Sequence, residues 1–276
     1  MDELTGKVAF VTGSAGGIGL GIARACADAG MKIVISDIDE DALEQSATLL
    51  RGDGAGVMTV RLDVTDRNDW ARVARDVPEG MGPVQLLVNN AGISTLGMRF
   101  DEITPELWDR VMEINLTGVY NGVHYFLGGM RDVGGGHIVN TSSVAGLIGI
   151  PTLAPYSASK FGVVGLSEVL RAELAELGIG VSVLCPSSVR TRLRDTSRAV
   201  GELPETEVQS AEIADLSIAV AMDPYEVGRR VVAAVIANEP YIMTHIEHRN
   251  VVADRHDRVL DGFDRAEAFT VDARRW

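Results

Sequence analysis

The apolar run Val8-Ala9-Phe10-Val11 passes directly into Thr12-Gly13-Ser14-Ala15-Gly16-Gly17-Ile18-Gly19, and a helical stretch follows from about Leu20 to Ala29. A short, uninterrupted apolar run reads as a strand buried on both faces, the environment of a parallel sheet covered by helices. Glycines at 13, 17 and 19 allow a tight turn, close approach of the backbone to a pyrophosphate, and close packing of helix on strand. The start of the helix then offers unpaired N–H groups and the positive end of its dipole to phosphates. Glycine-rich turns are common in surface loops. Here the turn follows a strand, opens a helix and precedes a second apolar run, Lys32 to Ser36, that ends in Asp37. That context points to a dinucleotide-binding β-α-β unit.

The alternation continues along the chain. Strands are predicted near 7–12, 32–37, 57–62, 84–89, 136–142, 179–185 and 240–243, with long helices over about 104–132 and 155–177. In the first of these helices Thr104-Pro105 supplies a cap and first turn, and Leu107, Val111, Ile114 and Leu116 form an apolar stripe. Strands alternating with helices imply an α/β fold: a Rossmann-type, doubly wound, parallel seven-stranded sheet with helices on both faces. Right-handed crossovers place the functional loops at the carboxyl ends of the strands. At 276 residues with 46% hydrophobic content, the chain suits one domain over 1–276. Within it, a lid is expected over about 188–223 and a C-terminal extension over about 244–276.

Asp37 bears on the cofactor. A carboxylate after the second strand accepts hydrogen bonds from the adenosine ribose hydroxyls and repels a 2′-phosphate, and neither the glycine loop nor Ile38 supplies a cation. NAD is therefore expected over NADP. A second constellation lies further along: Tyr156, Lys160 four residues on, and Ser143 thirteen residues before the tyrosine. Tyrosine, with an ordinary pKa near ~10, is a poor acid–base group at neutral pH. A lysine one turn away on the same helical face is expected to pull that value down. With a serine hydroxyl on the same substrate oxygen, this is equipment for interconverting an alcohol and a carbonyl.

These motifs together resemble the short-chain dehydrogenase/reductase family, over nearly everything from Gly6 to about Tyr241. Thr12 to Gly19 fits the TGxxxGxG loop, Asp63-Val64 resembles the pair that contacts adenine, and Asn89-Asn90-Ala91-Gly92 resembles the NNAG turn. The resemblance implies a catalytic tetrad. Tyr156 would be the acid/base and Ser143 would orient the substrate oxygen. Lys160 would lower the tyrosine pKa and hold the nicotinamide ribose, and Asn115 would fix a water in a proton relay. Ser142 competes for the serine role; the thirteen-residue offset kept by the family selects Ser143. The implied cofactor contacts are Gly13, Ala15, Gly17, Ile18, Gly19, Asp37, Asp63, Val64, Asn90, Ala91, Gly92, Tyr156, Lys160, Pro186, Val189 and Thr191. One departure stands out: Ser187 follows Pro186 where the family usually has glycine. Substrate contacts are expected from Ser143, Ala145, Ile150 and Ser187, with Leu147 and Leu153 completing an apolar wall. Leu216, Ile218, Val220 and Met222 are candidates from the lid. An apolar wall favours a bulky hydrophobic or aromatic secondary alcohol.

The remaining features exclude more than they assign. A net charge of −14 and a pI near 4.8 argue against nucleic acid or an anionic membrane as partner. No run of eighteen apolar residues is present, and the first strand starts too early for a signal peptide, so a cytoplasmic location is expected. Cys26 and Cys185 read as small core hydrophobes, and His245, His248 and His256 as surface residues, so no metal is expected. The stretch Tyr241-Ile242-Met243-Thr244-His245 is similar to one in family members that oxidise aryl secondary alcohols. A homodimer or homotetramer is expected. Two readings stand beside an NAD-dependent dehydrogenase: an NADH-dependent ketone reductase, and a binding protein that senses NAD(H).

Overall fold

The computed structural model describes residues 1, 3–95, 97–191, 193, 196–197 and 221–273. Seven strands form one parallel sheet: β1 (Val8–Thr12), β2 (Lys32–Asp37), β3 (Val57–Arg61), β4 (Val84–Asn89), β5 (Gly136–Thr141), β6 (Ile179–Cys185) and β7 (Tyr241–Met243). Their spatial order is β3-β2-β1-β4-β5-β6-β7. The chain steps outward from β1 to β3 and then returns to place β4 on the other side of β1. A crevice therefore opens between the β1 and β4 loops, where ligands bind in sheets of this winding.

Every residue of β1 is buried, which accounts for its unbroken apolar sequence. Alternation divides the strand between two cores. Val8 and Phe10 join Trp70, Val73 and Val77 of α3 (Arg67–Met81) and Val123, Phe126 and Met130 of α5 (Gly118–Asp132). Ala9 and Val11 join Ile22 and Cys26 of α1 (Gly17–Asp28), Leu43 and Leu50 of α2 (Glu40–Gly52), and Val227 and Val231 of α7 (Pro224–Ala237). Helices α1 and α7 meet at backbone distance. A Cβ on Gly21 would lie 2.1 Å from the Pro224 carbonyl oxygen, and one on Gly228 2.2 Å from that of Gly21.

The long helix predicted over 104–132 has an internal irregularity. Thr104 Oγ1 accepts from Leu107 N at 3.2 Å and Pro105 opens α4 (Pro105–Met112). A π-turn, Glu113–Thr117, then leads without a break into α5. The extra residue in that turn shifts the helical phase. Leu107, Val111 and Ile114 stay in the core, while Leu116 is only partly buried and faces Gly162, whose added Cβ would lie 2.9 Å from Leu116 Cδ2. The second long helix is α6 (Ala154–Leu174), continued by a 3-10 turn at Ala175–Leu177.

The chain divides into two compact units, Met1–Thr244 and His245–Trp276. The first holds the sheet. The second consists of a 3-10 turn, Ile246–His248, and α8 (Arg249–Ala273), with Ile246, Phe263 and Phe269 exposed. Among the described residues no helix is long and apolar enough to cross a membrane, and no cluster of ligating side chains could hold a metal ion.

Candidate active site

The glycine loop is shaped by main-chain demands. Gly13 and Gly17 have φ of +61° and +53°, where an L side chain is strained. A Cβ on Gly19 would lie 2.3 Å from the Gly13 carbonyl oxygen. The start of α1 receives no side-chain cap, so its first N–H groups are left for a ligand. Thr12 ties this loop to the next: its Oγ1 accepts from Asn90 N at 2.9 Å and Ala91 N at 3.0 Å. Asn90 Nδ2 in turn donates to the carbonyl oxygens of Thr12 and Gly13, each at 3.0 Å. Asp37 reaches over the same loop, its Oδ2 accepting from Ala15 N at 3.0 Å and its Oδ1 from Ile38 N at 2.8 Å. Ile18 lies partly buried at the start of α1, and Thr191 abuts Gly17, where an added Cβ would sit 3.1 Å from Thr191 Cγ2. Backbone shape, exposed helix donors and a carboxylate at the end of β2 fit a dinucleotide: diphosphate on the loop, ribose at Asp37.

Asp63 and Val64 sit beside this crevice with local duties. Asp63 Oδ1 accepts from Thr65 N at 2.9 Å, and the Val64 carbonyl accepts from Trp70 Nε1 at 2.9 Å and Asn121 Nδ2 at 3.1 Å. Pro186 is buried after β6. Val189 is bridged to Met222, and Ser187 is partly buried.

The other four candidates converge. Ser143 follows β5, and its Oγ accepts from Ala145 N at 3.1 Å and donates toward the Pro186 carbonyl at 3.3 Å. Ser142 faces away, donating to the Lys160 carbonyl at 2.8 Å. Of the two adjacent serines, only Ser143 acts on the Tyr156 hydroxyl, favouring its ionised form. Lys160 lies one turn of α6 beyond Tyr156, its Nζ 5.6 Å from the phenol ring centre and donating to the Thr141 carbonyl at 2.8 Å. Asn115, in the π-turn, is fully buried. It exchanges bonds with Ile93 (Ile93 N to Oδ1 2.8 Å, Nδ2 to Ile93 O 2.9 Å), and Nδ2 also reaches Ser159 Oγ at 3.1 Å. Gly92 closes the group: an added Cβ would lie 3.1 Å from Asn115 Oδ1 and 3.4 Å from Lys160 Nζ. Ala145 and Leu147 are buried beside Ser143, and Ile150 and Leu153 are partly buried.

The expected depression of the tyrosine is not produced by these groups. Burial raises the Tyr156 phenol above the ordinary tyrosine range, with the Ser143 hydrogen bond acting in the opposite sense. Burial also lowers Lys160 to about 8, against a smaller upward effect of Cys185. The physical reason is desolvation: removing a phenolate from water outweighs an ammonium that is itself partly discharged.

Two contributors to the site carry no mark in the sequence. Thr141 holds Lys160 through its main-chain carbonyl, which any residue would supply. Ser159 anchors Asn115 from the far side, bonded also to the Tyr156 carbonyl at 2.7 Å. Thr12, the first residue of the TGxxxGxG loop, acts as the hub of two loops. Most of the expected lid lies outside the described residues, including Leu216, Ile218 and Val220. At its two ends Arg190 pairs with Asp223.

Comparison with known proteins agrees with this arrangement. The family model for short chain dehydrogenase matches residues 7–200. C alpha-dehydrogenase of a Sphingobium species is 31% identical over 99% of this chain and 92% of its own length. A short-chain dehydrogenase/reductase from Burkholderia phymatum, solved in complex with NAD, superposes with a TM-score of 0.84 at 36% identity, covering 94% of this chain and 96% of that one. A variant of actinorhodin polyketide ketoreductase, solved with NADPH, gives 0.74 at 37% identity over 86% of this chain and 92% of that one. The chain belongs to the short-chain dehydrogenase/reductase family, as an oxidoreductase of hydroxyl or keto substrates with a nicotinamide dinucleotide cofactor.

Proposed function

We propose that the protein is an NAD-dependent dehydrogenase that interconverts a bulky hydrophobic or aromatic secondary alcohol with its ketone. The observation that carries this reading is the convergence of Ser143, Tyr156 and Lys160, with Ser143 favouring the ionised phenol and Lys160 one turn away and fixed on the Thr141 carbonyl. In oxidation, Ser143 holds the substrate hydroxyl and Tyr156, as phenolate, removes its proton. A nicotinamide dinucleotide held by the glycine loop, Asp37 and Lys160 would supply the hydride acceptor, and its positive charge in the oxidised form, added to that of Lys160, would favour the phenolate that burial alone disfavours. Lys160 also holds the ribose, and Asn115 fixes the water that passes the proton outward. In reduction the same groups act in reverse, with Tyr156 protonating the carbonyl oxygen.

The preference for NAD rests on Asp37 and on its neighbour across the sheet, Arg61. Arg61 is the β3 residue in register with Asp37, and its guanidinium is engaged by Asp69 Oδ2 at 3.2 Å. An arginine committed in this way is a poor partner for a 2′-phosphate, and Asp37 repels one. The hydrophobic assignment rests on the apolar residues after Ser143, and the aromatic one on the Tyr241-to-His245 stretch, similar to one in family members that oxidise aryl secondary alcohols. A homodimer or homotetramer acting in the cytoplasm completes the proposal.

Initial rates with NAD and NADP on benzylic, terpenoid and steroidal secondary alcohols, and on their ketones with the reduced cofactors, test it. Turnover of the benzylic class with NAD preferred is the expected result. Asp37→Ala should narrow the NAD preference by about tenfold, roughly 1.4 kcal/mol; an unmoved ratio contradicts the cofactor argument. Dinucleotide binding without turnover in either direction would favour the sensor reading.

A further inference from the structure

Helix α8 (Arg249–Ala273) is 25 residues long, about 37 Å, and carries an apolar stripe along one side. Val252, Val259, Phe263 and Ala266 recur at intervals of seven, four and three, with His256 between the first two. At about 100° per residue these five positions fall within an arc of about 80°. The stripe is open: Val259 is 48% exposed, Phe263 is 70% exposed and Leu260, at its edge, is 59% exposed. A helix draws most of its stability from packing such a face, and Gly262 deepens that need, because a glycine inside a helix costs about 1 kcal/mol relative to alanine. Its own chain gives no reason for that glycine. Among the described residues, a Cβ there would meet only Arg265 Nη2, at 3.9 Å.

The charges indicate what covers the stripe. The arginines of α8 (Arg249, Arg255, Arg258 and Arg265) are outnumbered by its carboxylates, the wrong balance for an anionic lipid surface. Arg249 and Glu267 are 18 residues apart, about five full turns, so both stand on the same edge of the stripe and at opposite ends of it. When two copies of a helix lie antiparallel about a two-fold axis, like edges face each other. The register that sets Arg249 against the partner's Glu267 also sets Val252 against the partner's Phe263 and His256 against the partner's Val259. Those are the seam contacts of two helices with apolar residues at alternating spacings of three and four. On the other edge Arg255 meets the partner's Gly262, where no side chain competes for the space.

We propose that α8 pairs antiparallel with α8 of a second copy of this chain, closing the stripe, with an Arg249–Glu267 ion pair at each end. The pairing rests on the homo-oligomer of the proposed function and names a surface for it. It is isologous, so the two copies contribute the same residues.

The test is disulfide trapping in the full chain, whose own cysteines, Cys26 and Cys185, are buried. The double variant Val252→Cys/Phe263→Cys should give covalent dimers on mild oxidation, read on a non-reducing gel, and each single variant at least tenfold less. In the antiparallel register a residue at 252 lies eleven positions, roughly 16 Å, from its own counterpart in the partner, and 252 lies equally far from 263 in its own chain. Neither distance can be bridged by a disulfide. Adding Arg249→Glu should slow trapping about fivefold, and adding Glu267→Arg to that variant should restore it. Sedimentation of the unmodified protein separates the two levels. An oligomer whose double variant is not trapped overturns this pairing alone, and an untrapped monomer overturns the oligomer as well. Single variants trapped as readily as the double, or a rate unmoved by Arg249→Glu, would also overturn the pairing.

Discussion

The two halves of the crevice work by opposite means. On the β1 side, function is carried by missing side chains: Gly13, Gly17 and Gly19 bring backbone to the ligand, and the first turn of α1 is left uncapped. On the β5 side it is carried by side chains that are pinned before any substrate arrives. Ser143 is bonded to Ala145 N and the Pro186 carbonyl, Lys160 to the Thr141 carbonyl, and Asn115 to Ile93 and Ser159. The difference teaches where each half is vulnerable. Adding atoms harms the first, removing a single hetero-atom harms the second, and only the first kind of damage should spread to the fold.

The largest effect expected from breaking this contrast is Gly19→Ala. Its Cβ would overlap the Gly13 carbonyl at 2.3 Å and Asn90 Nδ2 at 2.7 Å. Dinucleotide affinity and melting temperature should fall together, with stability reduced by about 1–3 kcal/mol. Calorimetric unfolding alongside a dinucleotide titration checks this. Normal affinity would mean that the loop tolerates a side chain.

The adjacent serines sharpen the comparison within one half. Ser143→Ala should lower turnover by about 10²-fold or more while leaving stability nearly unchanged. Ser142→Ala removes a buried bond to the Lys160 carbonyl, so it should cost about 1 kcal/mol of stability and much less activity. Paired kinetics and denaturant unfolding separate the two, and an inverted pattern would transfer the catalytic role to Ser142.

A further effect, confined to alkaline solution, is expected in the pH dependence of stability. Burial lowers Lys160 from 10.5 to about 8, so between these values the unfolded chain binds more protons than the folded one. Stability contributed at this site therefore rises with pH from about 8 to 10.5 and is lowest below 8. Relative to Lys160→Met, the wild type should gain up to about 3 kcal/mol across that window. Denaturant unfolding at pH 7.5 and 10 measures it, and a flat difference would mean that the lysine is not desolvated.

Much of this arrangement is legible in the sequence because its signals are local. Buried parallel strands are apolar runs bounded by glycine or polar turns, so β1, β2 and β4 to β6 fall within a residue or two of expectation. The Ser143, Tyr156 and Lys160 spacing survives because one helix turn fixes the last two. What was hidden depends on contacts between elements. The π-turn at Glu113–Thr117 alters the helical period by a single residue, below what an apolar stripe can reveal. Thr141 contributes a carbonyl, for which sequence carries no code. The raised Tyr156 pKa is a burial effect, and burial depends on how β5, α6 and the loops after β4 and β6 close over the ring.

The central claim is that Tyr156 moves the proton while the glycine loop separately holds the dinucleotide. Turnover and dinucleotide affinity of Tyr156→Phe, measured on the same preparation, test it most directly. Loss of at least 10³-fold in turnover, with affinity within about threefold of wild type and an unchanged melting temperature, is the predicted result. Retained turnover, or turnover lost only in proportion to weakened dinucleotide binding, would contradict it.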